Sequence, residues 1–178
     1  MTQEKILTAE EIVKYFTDKF STKIKEVKIK KKLAGVKKNE SSYIWMKIEK
    51  NDFKEIVKHL CALQFPHLVV ISGSDLGATI ELIYHFTLNY GHRMKEIVLN
   101  FSVELPKSNP EIETICDLIP GALISEREKQ EFLGVKIIEI PDSRRLFLPD
   151  DFPEGIYPWR RDETGPEKLY RNLHEVKK

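Results

Sequence analysis

The sequence predicts an α+β fold: a mostly antiparallel sheet with two covering helices, followed by an extended C-terminal segment rich in Pro and Arg. Two stretches with apolar residues near a period of 3.6 alternate with runs of period 2 or of continuous β-branched character. Residues 134–162 show neither period beyond their first six residues, and they hold four of the nine prolines and four arginines. The expected division is an α+β body over 1–134 and an extended docking segment over 135–178.

The first helix is written in "LTAEEIVKYFTDKF". Thr8 and Glu11 form a capping-box pattern, and Ile12, Val13, Phe16 and Phe20 fall on one side. "TKIKEVKIKKKLAGVKK" alternates Val27 and Ile29 with lysines. "SSYIWMKIE" places Ile44, Met46 and Ile48 on one face and Tyr43 and Trp45 on the other. These read as two strands joined by a polar turn around Lys37 to Ser41. "NDFKEIVKHLCALQF" repeats the helical spacing, with Asn51 or Asp52 as cap, Phe53, Ile56, Val57 and Leu60 inward, and Pro66 past its end.

Three further strands are expected in "HLVVISGSD", "ATIELIYHFTLN" and "MKEIVLNFSVEL", the last two joined through "YGHR" as a hairpin. "SNPEIETICDLI" predicts a short helix with Pro110 in its first turn. "GALISEREKQEFLG" predicts another, ended by Gly134 as a left-handed cap.

At 178 residues the protein suits one core plus an appendage. Lys and Arg number 29 against 28 Asp and Glu, so no overall field recommends nucleic acid or an anionic membrane. No apolar run of membrane-spanning length and no signal-peptide pattern is visible, which predicts a cytosolic protein that reaches a membrane only through a partner. Cys61 and Cys116 are too few for a disulfide framework or an iron–sulfur site and are expected to be reduced thiols. The histidines His59, His67, His85, His92 and His174 lie at no zinc-binding spacing, so no metal or cofactor is expected in this protein.

Three constellations invite function. Lys23, Lys25, Lys28, Lys30, Lys31, Lys32, Lys37 and Lys38 could face nucleic acid, but no aromatic residues interleave with them, and lysine also protects a strand edge from aggregation. In "SEREKQEF", Glu126 and Glu128 could act as an acid–base pair. Arg127 and Glu131, four apart, instead suggest a helical ion pair, which favours a docking or ion-pair role for the cluster. The third is "PDSRRLFLPDD": Arg144 and Arg145 in an extended, proline-stiffened strand cannot share one local partner, and arginine suits bidentate pairing with carboxylates. Leu146, Phe147, Leu148, Phe152, Ile156, Tyr157 and Trp159 are poor choices for a segment left in water. The segment therefore reads as a strap laid on another protein.

These residues resemble a known family. "PGALISEREKQEFLGVKIIEIPDSRRLFLPDDFPEGIYPWRRD" is similar to the signature of the thirty-kilodalton subunit of complex I and its relatives in membrane-bound [NiFe] hydrogenases. The matching positions are Glu126, Arg127 and Glu128; Phe132, Leu133 and Gly134; Pro141, Asp142, Arg144 and Arg145; and Pro158, Arg160, Arg161 and Asp162. The sequence departs from the complex I pattern at Glu139 and Ile140, where Gly-His is usual, at Glu131 to Leu133, and at Trp159, commonly Leu. These departures lean away from the quinone-reducing, NADH-linked complex and toward the hydrogenase-like, ferredoxin-linked branch or the related sulfur-reducing complex.

The resemblance implies a non-catalytic subunit that packs against the large catalytic subunit and beside a small iron–sulfur subunit. The [NiFe] centre and iron–sulfur clusters would lie in those partners, and the membrane arm would be reached only indirectly. Glu126, Arg127, Glu128, Pro141, Asp142, Arg144, Arg145, Phe147, Phe152, Trp159, Arg160, Arg161 and Asp162 would contact the partner, with no nucleic acid involved.

Overall fold

The computed structural model describes residues 6–34, 36 and 39–169. Helix α1 (Ala9–Phe20) begins at the expected capping box: the Thr8 hydroxyl accepts from the Glu11 amide at 3.2 Å, and the Glu11 carboxylate accepts from the Thr8 amide at 2.9 Å. Strands β1 (Ile24–Ala34) and β2 (Asn39–Ile48) are antiparallel neighbours. Helix α2 (Phe53–Leu63) follows a 3-10 turn over Lys50–Asp52. Strands β3 (His67–Asp75), β4 (Thr79–Leu88) and β5 (Ile97–Pro106) complete a sheet in the order β1-β2-β5-β4-β3, and only β2 and β5 run parallel.

One face of this sheet is the core. Ile44 and Met46 of β2, Ile80, Leu82, Tyr84 and Phe86 of β4, and Leu99, Phe101 and Val103 of β5 alternate inward and are buried. Helices cover them: Phe16 of α1 meets Phe101 edge to face at 5.7 Å, and Phe53 of α2 lies 4.3 Å from Tyr84. A third helix, α3 (Leu123–Leu133), extends this layer over β3, where a Cβ on Gly73 would collide with the Leu133 side chain. The absence of a side chain at Gly73 is what lets α3 approach.

Two expectations fail. Residues 108–119 form no helix; β6 (Glu111–Glu113) pairs in parallel with β7 (Lys136–Ile138) as a separate two-stranded sheet. The backbone partner that outcompetes the helix comes from beyond α3. Asp52 does not cap α2 with its side chain, because that carboxylate pairs with Lys23 at 2.8 Å.

Lys23, Lys25, Lys28 and Lys31 are ion-paired on or near the β1 edge, with Glu55, Glu49, Glu26 and Glu10 among their partners. Lys37 and Lys38, like His174, lie outside the described residues. Cys61 and Cys116 are both free thiols.

Gly134 ends α3 in the left-handed region at φ 65°, as its sequence position predicts, and a Cβ there would run into the Tyr157 ring. Glu139 is also left-handed, at φ 60°, in the position where the resembling family usually has Gly. A side chain in this region costs roughly 1–2 kcal/mol. Glu139→Gly is therefore expected to raise unfolding free energy by about 0.5–1 kcal/mol after the entropy of the more flexible unfolded chain is counted. Gly134→Ala is expected to lower it by about 2 kcal/mol or more, because backbone strain and ring displacement add. Urea denaturation of the two variants measures both signs.

Candidate functional site: a C-terminal strap clasped by the third helix

An irregular segment cannot satisfy its own backbone amides and carbonyls through a ladder, so each buried group needs a partner from elsewhere. In residues 141–165 many of those partners are side chains of α3 and of the β3 end. Arg127, 9% exposed, donates from Nε to the Arg144 carbonyl at 2.8 Å and from Nη2 to the Arg145 carbonyl at 2.9 Å. Its Nη1 lies 3.3 Å from the Asp142 carboxylate.

One turn along the same helix, Glu131 accepts from the amides of Leu146, Phe147 and Leu148, the last two at 2.9 Å. Arg127 and Glu131 do not pair with each other as the spacing predicts; each instead binds the strap backbone. The cation takes carbonyls and the anion takes amides, so the backbone of residues 144–148 is gripped by one helical turn. Bonds to a charged partner are worth about 1.5–3 kcal/mol each when water is excluded.

The remaining hooks lie along the strap. Arg160 donates to the Leu133 carbonyl at 2.8 Å, and the Trp159 amide donates to the Phe132 carbonyl at 2.9 Å. Both carbonyls belong to the last turn of α3, where a helix leaves acceptors without intrahelical donors. The Trp159 ring stacks on Phe132 at 4.7 Å, with the Lys129 ammonium 4.6 Å from its centroid. Burial pulls the Lys129 pKa down against the pull of Glu128.

At the far end, the buried carboxylate of Asp75 accepts from the Arg161 amide at 2.9 Å, from Lys107 Nζ at 2.7 Å and from the Gly77 amide at 2.9 Å. Lys107 also binds Asp162, whose carboxylate receives the Thr164 amide and hydroxyl. Lys107 and the Thr164 donors hold the Asp162 carboxyl well below the usual carboxylate range. Burial pushes Asp75 up, but the bonds from Lys107, Arg161 and Gly77 outweigh it and leave its pKa lowered.

The acidic cluster therefore divides. Glu126, 1% exposed, is turned away from the strap: it accepts from the Thr114 hydroxyl at 2.5 Å, the Ile115 amide at 2.9 Å and the Cys116 thiol at 3.2 Å. Burial is the first cause that pushes the Cys116 thiol up to about 11. Glu128 pairs with Lys129. Glu126 and Glu128 thus serve different partners and do not converge as an acid–base pair. Nor is Glu126 placed to meet another protein: it fixes the turn between β6 and α3 from inside.

Of the strap residues expected at an interface, Arg145 donates to the carbonyls of Pro149 and Phe152, both at 2.8 Å. Arg144 makes a two-pronged pair with Asp142 at 2.9 and 2.8 Å, yet its side chain is 85% exposed. Phe147 is 54% and Trp159 41% exposed. Phe152 is half-buried and Pro141 exposed. Arg145, Arg160 and the Asp162 carboxylate are thus engaged inside the protein, whereas Arg144, Phe147 and part of Trp159 face outward. Sequence reasoning missed Asp75 and Lys107, whose link to the strap spans 86 residues from Asp75 to Arg161 and leaves no local signal.

Among the described residues, no group of three or more His, Cys, Asp or Glu is arranged to hold a metal ion, and no helix is long and apolar enough to cross a membrane.

Comparison with known proteins covers the sheet and helices as well as the strap. The family described as "Respiratory-chain NADH dehydrogenase, 30 Kd subunit" matches residues 46–168. The protein is 38% identical over 131 residues to the membrane-bound hydrogenase subunit beta of Pyrococcus furiosus, covering 72% of this sequence and 75% of that one. It is 33% identical over 171 residues to a subunit of the F(420)H(2) dehydrogenase of Methanosarcina mazei, covering 94% and 99%. Its fold is similar to part of the membrane-bound sulfane sulfur reductase, an archaeal respiratory membrane complex. That match has a TM-score of 0.70 at 21% identity over 94% of this protein and 88% of the matched polypeptide.

Two predictions test the clasp. Glu131→Ala removes the acceptor of three strap amides; limited proteolysis is expected to cut between residues 143 and 157 in the variant and not in the parent, with global stability lower by about 1–3 kcal/mol. Acid is expected to release the distal anchor. The lowered carboxyls of Asp75 and Asp162 contribute stability that is complete above the ordinary carboxylate value of 3.8 and is lost as pH falls below it. Lys107, raised above 10.5 by Asp162 and Asp75 against desolvation, adds no loss until strongly alkaline pH. Amide exchange at residues 161–165 should therefore stay flat through neutral pH, after correction for intrinsic exchange, and gain extra opening only in acid.

Proposed function

Since the protein belongs to the respiratory-chain NADH dehydrogenase 30 Kd subunit family, we propose that it is the accessory subunit of the peripheral arm of a membrane-bound oxidoreductase complex, packing against a large hydrogenase-like catalytic subunit. The single observation that carries this reading is the clasped strap, whose backbone is bound by α3 while Arg144, Phe147 and Trp159 stay exposed. The family match runs over residues 46–168, so the strap that α3 holds lies within it together with most of the sheet, and that strap leaves Phe147, Arg144 and Trp159 outward. A rigid segment with exposed aromatic and arginine side chains suits an interface, because its ordering entropy is already lost before the partner arrives.

The membrane-bound hydrogenase subunit beta relative supports a hydrogenase-like complex, and the family resemblance adds the expectation that it is ferredoxin-linked and ion-translocating. On this reading the [NiFe] centre and iron–sulfur clusters reside in the large subunit and an adjacent small subunit. The protein would be attached to the cytoplasmic face of the membrane through them. An F(420)H(2) dehydrogenase-type complex is the second reading, because that relative aligns over nearly its entire length. The two readings share the docking role and differ in the partner.

Phe147→Asp places a charge where an apolar anchor would bury, while the backbone amide that Glu131 binds is retained. With the large hydrogenase-like subunit of the same organism co-expressed, the parent protein is expected to co-purify and the variant to lose at least nine-tenths of the yield, with an unchanged melting temperature. Undiminished co-purification of Phe147→Asp, and of a variant lacking residues 141–178, would overturn the docking role.

A further inference from the structure

The helices cover one face of the five-stranded sheet; the other carries no helix among the described residues. On that open face, toward the β1 edge and away from α3, lies a groove of about 370 Å³ lined by Trp45, Lys28, Lys30, Lys47, Glu26 and Glu81 among others. Its volume falls in the range that ligand sites of small molecules occupy. The geometry points to a nucleotide site: a groove that takes an amino-bearing base against Trp45 and its phosphate against Lys28 and Lys30.

The sheet register sets the polarity of the groove. Lys28 stands opposite Trp45, and Lys30 opposite Tyr43, so the lysines of β1 flank the aromatics of β2. The alternation of lysine and aromatic that the linear sequence lacks is thus created across two strands. Trp45 is 38% exposed and is backed by His85, perpendicular to it at 6.3 Å. His85 is itself tied to Asn100 at 2.6 Å and Ser72 at 2.9 Å, so the indole rests on a fixed neighbour. A partly exposed indole held against a fixed neighbour offers surface on which a base can stack.

The charges at the two ends differ. Lys30 has no ion-pair partner among the described residues, and Lys28 shares Glu26 at 2.5 Å. At the opposite end Glu81 accepts from Ser102 at 2.5 Å and retains acceptor capacity on its second oxygen, while Lys47 is taken by Glu104 at 2.5 Å. A phosphate is repelled from the Glu81 end and drawn to the Lys28 and Lys30 end; an exocyclic amine prefers the reverse. Two lysines suit a monophosphate, and the near-neutral net charge of the protein offers no extended track for a polynucleotide.

The test uses the full-length protein, with binding followed by calorimetry. Adenosine monophosphate is expected to bind saturably, with adenosine, inorganic phosphate and uridine monophosphate each at least tenfold weaker. Trp45→Ala should weaken binding at least tenfold, and Lys30→Gln several-fold with a shallower salt dependence; both should keep the parent's circular dichroism and melting temperature. Phe147→Asp should bind as the parent does, which separates this site from the docking surface. Absence of saturable binding, or equal affinity in Trp45→Ala, sinks the proposal. A single-stranded oligoadenylate that binds more tightly per protein molecule than the monophosphate would also overturn it, by assigning the groove to a strand.

Discussion

The arrangement of the C-terminal third depends on one turn of α3, in which Arg127 and Glu131 reach opposite polarities of the same backbone. Side chains four residues apart on a helix are neighbours, and the simplest outcome for a cation and an anion there is a mutual ion pair worth a few tenths of a kcal/mol. Here the pair is opened and the strap is laid across it. Each charge then meets two or three backbone dipoles in a largely buried setting, where such bonds are stronger than a surface ion pair. Because the contacts are to carbonyls and amides, they fix the path of residues 144–148 and leave the side chains of that path free for other work.

That arrangement explains how a segment without regular structure can be ordered with little apolar burial. The strap is held at three points: the α3 turn, the frayed carbonyls at the end of α3, and the Asp75–Lys107–Asp162 cluster. Gly134 joins the second point to the first, since only a residue without Cβ lets the Tyr157 ring close over the helix end. Glu126 secures the other side of the same helix by accepting from the Thr114 hydroxyl, the Ile115 amide and the Cys116 thiol. Helix α3 is therefore a bracket between the two-stranded β6–β7 sheet and the strap, which accounts for how many of its polar residues are buried.

The elements that the sequence made legible are those whose signal is local. Thr8 with Glu11, the alternation of Ile44, Met46 and Ile48, and Gly134 directly after the helical run "LISEREKQEFL" each carry their structural instruction within a few residues. What was illegible depends on distant partners. Pro110 and the residues after it look like a helix start until β7 supplies a parallel neighbour, and Asp52 looks like a cap until Lys23 claims it. The same holds for the candidate site. Arg144 and Arg145 marked the strap, but what grips it is mostly Arg127, Glu131 and Asp75, and the aromatic surroundings of the β1 lysines arise only when β2 pairs with β1.

Polar hooks also determine which surface the strap offers. Had the segment been anchored by its aromatics, Phe147 and Trp159 would be buried in the core and nothing apolar would remain outside. With backbone hooks carrying the attachment, Phe132 receives Trp159 on one side and Phe147 at 5.8 Å on another, yet both rings keep about half their surface in solvent. An aromatic that is half supported keeps its rotamer and still has area to bury, so its contribution on docking is not consumed by ordering it. The exposed guanidinium of Arg144 is pre-set in the same way by its two bonds to Asp142. The clasp thus gives a segment without regular structure a fixed path and a partly apolar surface.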